Sequence, residues 1–105
     1  MIEATQETRG DWLVVSVKGR ADAEAADQLE AALRSALDQH SKVAADLSAL
    51  DYISSAGLRA VLQAARAAQM KAVEFAVCGM SAPVKKVFGM SGMQHLLTIH
   101  GELPC

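Results

Sequence analysis

The sequence has 105 residues, of which 51% are hydrophobic, 21% charged and 4% aromatic, with a formal net charge of −2. That length and composition suit one globular domain, expected to span residues 1–105, with a core of Ala, Val and Leu rather than large rings. No basic cluster exceeds the pair Lys85-Lys86, which excludes a nucleic-acid partner.

In chain order, Ile2 to Thr8 alternates weakly and reads as a strand, and Arg9-Gly10-Asp11 supplies a hairpin turn. Trp12 to Val17 is apolar and β-branched, a second strand, which Gly19 ends. Asp22 is placed as the N-cap of a helix over residues 23–39. Ala26, Leu29, Leu33, Ala36 and Leu37 form that helix's buried stripe, with Glu24, Asp27, Glu30, Arg34 and Asp38 turned to water. Lys42 to Leu47 returns as a strand. Leu50, Tyr52 and Ile53 then carry apolar bulk through a connection, pinning it against the core.

A second helix opens at Ser54-Ser55, with apolar positions Leu58, Val61, Leu62, Ala65 and Ala68 and with Arg59, Gln63 and Arg66 outward. Lys71 to Val77 forms the next strand, broken by Gly79. Ser81 caps a short helix carrying Val84, Val87 and Phe88, with Pro83 in its first turn. Gly89 and Gly92 punctuate its end, and Leu96 to His100 makes a last strand. The order β-β-α-β-α-β-α-β with crossovers of this length implies right-handed, parallel connections. The expected fold is therefore α/β: a mixed, mostly parallel β-sheet with an N-terminal hairpin and helices packed mainly on one side.

The two serines at the second helix's start carry the most chemical information. The first turn of a helix has backbone N–H groups without intrahelical partners, which a serine oxygen can satisfy. The aligned peptide dipoles also favour negative charge there, so a phosphate on Ser54 or Ser55 is held favourably. Both readings, plain N-cap and modification site, stand on spacing alone. Gly57, lacking a side chain, is expected to keep the site open to an approaching partner.

Other chemistries lack their motifs. Ser54-Ser55-Ala56-Gly57 is not the Gly-x-Ser-x-Gly elbow of a hydrolase, and His40, His95 and His100 have no paired acid spacing. No glycine-rich phosphate loop, His-Glu-x-x-His or EF-hand pattern occurs, so no enzyme activity, cofactor or metal is expected. Cys78 and Cys105 lack ligand or disulfide spacing; the first reads as an inert core thiol and the second as a free one. Glu3, Gln6, Glu7 and Arg9 interrupt any apolar leader, and no apolar run is long enough for a bilayer. A cytoplasmic location without membrane contact is expected. Met80, Met90 and Met93 cluster beside Phe88, either as core filler or as an adaptable docking surface next to the second helix.

The chain resembles the STAS-domain anti-sigma-factor antagonists of bacteria over nearly its whole length. The resemblance is carried by Asp46-Leu47-Ser48 followed by Tyr52-Ile53-Ser54-Ser55-Ala56-Gly57-Leu58, by Ser81-Ala82-Pro83-Val84-Lys85-Lys86-Val87-Phe88 with Met90-Ser91-Gly92, and by Gly19 and Asp22. It implies partner switching. In that family the unmodified antagonist binds an anti-sigma factor that is also a serine kinase of the histidine-kinase-like ATPase fold. The kinase phosphorylates the antagonist, which is then released, and a PP2C-type phosphatase resets it. The family's phosphoserine, two residues before the glycine, maps onto Ser55, and Asp22 onto a neighbouring acid. Many members carry an acid before the phosphoserine and Ser or Thr after it. Here Ser54 and Ala56 stand there, so the match to Ser55 rests on Gly57. The implied partner surface comprises Asp22, Ser54, Ser55, Ala56, Gly57, Leu58, Arg59 and Met90. The Ser-Ser-Ala-Gly-Leu-Arg variant is similar to proteobacterial members, some of which serve type III secretion regulators. An alternative within the family is a ligand-sensing module that holds a nucleotide or lipid near Asp22 and Ser55.

Overall fold

A hairpin opens the structure, and every later strand joins it in parallel. The computed structural model describes residues 1–91 and 98–100. Strands β1 (Ile2–Arg9) and β2 (Trp12–Ala21) pair antiparallel across a two-residue turn, with Gly10 at φ +59°, where an L side chain is disfavoured. Then follow α1 (Ala26–Leu37), β3 (Lys42–Ile53), α2 (Ser55–Met70), β4 (Glu74–Cys78), α3 (Ala82–Ser91) and β5 (Thr98–His100). The sheet order is β1-β2-β3-β4-β5, with β2/β3, β3/β4 and β4/β5 parallel. The element order and the mixed sheet are those expected from the apolar periodicities. Residues 96 and 97 of the anticipated last strand lie outside the described residues.

One face of the sheet carries the main core. Leu13, Val15 and Val17 of β2, Val43, Ala45 and Leu47 of β3, and Phe75 and Val77 of β4 meet Leu29 and Leu33 of α1, Val61 and Ala64 of α2, and Val84 and Phe88 of α3. All three helices pack on that side, as crossovers of one hand between sequentially neighbouring parallel strands require. Val14, Ala44 and Cys78 point to the opposite face, with Trp12 packed against them. Cys78 is buried there as expected, but it is not a free thiol. The sequence's other cysteine, Cys105, lies outside the described residues.

Several boundaries differ from those read off the sequence. β2 runs on through Gly19 (φ +107°) to Ala21, and β3 runs on to Ile53, six residues past the anticipated end at Leu47. The pairing of β2 with β3 shows why. Ser16 pairs with Asp46 but Lys18 with Ala49, and Gly19 with Leu50 but Arg20 with Tyr52, so β3 carries two bulges. Burial there falls at Leu47, Leu50 and Ile53, every third residue, which disguises the strand from a period-two reading. Tyr52, expected against the core, is instead exposed, its ring under the Arg20 guanidinium at 4.5 Å.

The helices also shift. α1 starts at Ala26, three residues later than anticipated, because Asp22 heads a separate turn: its Oδ1 accepts from the Ala25 N–H at 3.0 Å. The α1 stripe of Ala26, Leu29, Leu33, Ala36 and Leu37 is buried as expected. On α2 the buried set includes Ala60, Ala64 and Ala67, while Leu62 and Ala65 are half-buried, because α2 packs against α1 as well as the sheet. Ser81 does not cap α3 with its hydroxyl, which donates to the Leu50 carbonyl at 2.8 Å.

Candidate functional site at the start of the second long helix

The carboxyl ends of β2 and β3 meet where α2 begins. Ile53 is the last residue of β3, Ser54 the N-cap in an extended conformation (φ −86°, ψ 172°), and Ser55 the first helical residue. Ser54 is fully engaged. Its Oγ accepts from the Gly57 N–H at 3.1 Å and donates to the Ala21 carbonyl at 2.9 Å, and its own N–H donates to that carbonyl at 2.9 Å. It is thus both the cap of α2 and a tie from α2 to the end of β2. Ser55 is exposed, and among the described residues none hydrogen-bonds its hydroxyl. The two serines, equivalent on spacing, have different roles in space.

The residues after them divide between interior and surface. Ala56 is half-buried, Gly57 and Leu58 are buried, and Arg59 is exposed. Gly57 does not keep the surface open, as its sequence position had implied. A Cβ there would lie 2.8 Å from Ile53 Cγ1 and 2.9 Å from the Ala21 carbonyl oxygen, so the glycine lets helix and strand ends close together. Gly57 and Leu58 support the site from within and do not form its surface.

A groove of about 340 Å³ lies beside Ser55, between the first turns of α1 and α2. Its α2 wall is Ser55, Ala56, Arg59 and Ala60; the facing wall is Ala26, Asp27 and Glu30 of α1 with Ala23 of the turn before it. Asp27 and Glu30 read in the sequence as ordinary solvated charges, and only the packing of α1 on α2 brings them to this place. Glu30 is already paired with Arg34, Nε to Oε2 at 2.9 Å, whereas Arg59 has no ion-pair partner among the described residues.

Asp22 sits one residue beyond the carbonyl that holds Ser54. The Ala25 N–H above all, with the Met1 ammonium 3.5 Å away, holds its carboxyl below the usual value despite partial desolvation. Met90 is 79% exposed but lies in the last turn of α3, whereas Ser55 lies in the first turn of α2. Because both helices run from the carboxyl ends of the strands, the structure does not bring Met90 and Ser55 together. Met80 is half-buried against the core, and Met93 lies outside the described residues. No group of three or more His, Cys, Asp or Glu could hold a metal among the described residues, and no described helix is long and apolar enough to cross a membrane.

Comparison with known proteins identifies the family. The STAS domain family model matches residues 3–103. A Bordetella bronchiseptica protein, BtrV, named as an anti-sigma factor antagonist, is 33% identical over 99 residues, covering 93% of this chain and 85% of that one. An anti-sigma factor antagonist from Mycobacterium paratuberculosis superposes with a TM-score of 0.86 at 24% identity, over 98% of this chain and 88% of that one. The Bacillus cell fate determinant SpoIIAA in its phosphorylated form superposes at 0.68 and 23% identity, over 97% and 93%. Those two structural likenesses speak for the fold. With a family match from near the first residue to near the last, and a relative of this identity and coverage, the chain belongs to the STAS domain family.

Proposed function

We propose that the protein is an anti-sigma-factor antagonist that binds a serine-kinase-type anti-sigma factor and is released when phosphorylated on Ser55. The observation that carries the reading is the exposed Ser55 hydroxyl beside a Ser54 hydroxyl engaged on both sides. A kinase active site can reach the first and must break the helix cap to reach the second. In the transfer, Ser55 Oγ attacks the γ-phosphorus of ATP, its proton passes to a base on the kinase, and ADP leaves. The names of BtrV and of phosphorylated SpoIIAA support the same reading.

Release follows from charge. Phosphorylation adds about 1.5 to 2 negative charges at neutral pH. A partner surface that buries an uncharged serine without matched cations would have to desolvate that charge, at a cost of several kcal/mol. Roughly 4 kcal/mol separates nanomolar from micromolar binding, so the switch requires no refolding. The implied partners are an anti-sigma factor of the histidine-kinase-like ATPase fold and a PP2C-type phosphatase, acting in the cytoplasm. The test is incubation with the cognate kinase and ATP, then mass spectrometry of the modified residue. Label on Ser55 supports the proposal, and label on neither Ser54 nor Ser55 ends it.

The groove between α1 and α2 favours one second reading, a module that binds a nucleotide or lipid near Asp22 and Ser55. Asp27 and Glu30 on its wall oppose a free anionic ligand, which, unlike a group carried by Ser55, is not tethered there. Micromolar or tighter binding of a nucleotide by calorimetry, with no partner present, would favour it.

A further inference from the structure

We infer that Arg59 holds the phosphoryl group carried by Ser55, drawing it into the groove between α1 and α2. The inference rests on the reading of Ser55 as the modified residue and adds how the modified state is stabilised. Ser55 and Arg59 are four residues apart on one helix, which puts their Cβ atoms about 5–6 Å from each other on the same face. Both line the same groove, whose other α2 residues, Ala56 and Ala60, and whose Ala23 and Ala26 on the facing wall have no side chain long enough to fill it. There is room for a phosphoryl group beside the helix.

Among the described residues, the charges around the groove leave one cation for that group. Asp27 and Glu30 face it from α1. Glu30 is held by Arg34. Arg59 has no ion-pair partner among the described residues, so it is free to turn to a phosphate without breaking a described contact. A guanidinium matches two phosphate oxygens with a parallel pair of N–H donors, and the order anion at i, cation at i+4 is the favourable one on a helix. Asp27, on the facing wall, repels a phosphate there and so raises the charge that Arg59 has to offset.

The experiment places phosphoserine at position 55 during translation, so that no kinase is required, and follows its second ionisation by phosphorus NMR. The ordinary value is about 6. With Arg59 in place the midpoint should fall below that in Arg59→Gln by on the order of half to one unit, an exposed-site fraction of the shift a close cation produces. Both forms keep the same helix amides, so the difference isolates Arg59. Arg59→Lys should recover part of the shift, and Asp27→Asn should deepen it. Superimposable titrations with and without the Arg59→Gln substitution would overturn the inference, while label on neither serine in the kinase assay would overturn the functional reading alone.

Discussion

The Ser54 hydroxyl donates to the carbonyl oxygen of Ala21, 33 positions earlier in the chain, at 2.9 Å. That bond joins the end of β2 to the start of α2, and it separates the roles of two adjacent serines. Ser54 belongs to the architecture; Ser55 is presented to solvent.

Ser54→Ala removes the cap to Gly57 and the bond to Ala21 together. The expected loss is about 1–2 kcal/mol, or a melting temperature lower by roughly 4–16 °C in a domain of this size. Thermal denaturation followed by circular dichroism measures it. Kinase labelling of this variant should remain on Ser55.

Gly57→Ala tests a competition between local and tertiary effects. Alanine is favoured over glycine inside a helix by up to about 1 kcal/mol. Its Cβ would nevertheless press on Ile53 Cγ1 and on the Ala21 carbonyl oxygen, at 2.8 and 2.9 Å. Overpacking of this kind costs about 1–3 kcal/mol, so the net change should be destabilising. Because the displaced carbonyl also holds Ser54, the two variants should be non-additive in a double-mutant cycle.

Ser55→Ala keeps an uncharged, small surface and should bind the anti-sigma factor within about threefold of the unmodified protein. Ser55→Asp adds a charge at the contact and should weaken binding by tenfold or more, about 1.4 kcal/mol. Surface plasmon resonance with both variants would decide. Equal affinities would remove the charge-based account of release.

Asp22 should leave a signature in acid. Its pKa is lowered on folding, first by the Ala25 N–H, from an unperturbed 3.8. The folded chain therefore gains stability from this carboxylate above pH 3.8 and loses it as pH falls through the lower folded value. Asp22→Asn can still accept the Ala25 N–H but lacks the charge. The melting temperatures of the two proteins should differ most above that pH and converge below it, in denaturation scans between about pH 2 and 6.

Phe88 is wholly buried in the main core and is one of only two phenylalanines in the chain. Phe88→Ala should cost about 3–5 kcal/mol, a large part of the stability of a small domain. Chemical denaturation should show a lower midpoint with an unchanged slope.

The order of strands and helices, the parallel crossovers and the buried stripe of α1 were all legible in the sequence, because they follow from local apolar periodicity. So was the placing of two serines at a helix start, since capping depends on neighbours within a turn. Four things depended on tertiary structure: which serine caps, why Gly57 is a glycine, where β3 ends, and that Asp27 and Glu30 share a groove with Ser55 and Arg59. Each is decided by contacts between segments distant in sequence, namely the Ala21 carbonyl, the two bulges against β2, and the packing of α1 on α2. Periodicity reports which face of an element is apolar; it carries no information about which atoms of another element that face will meet.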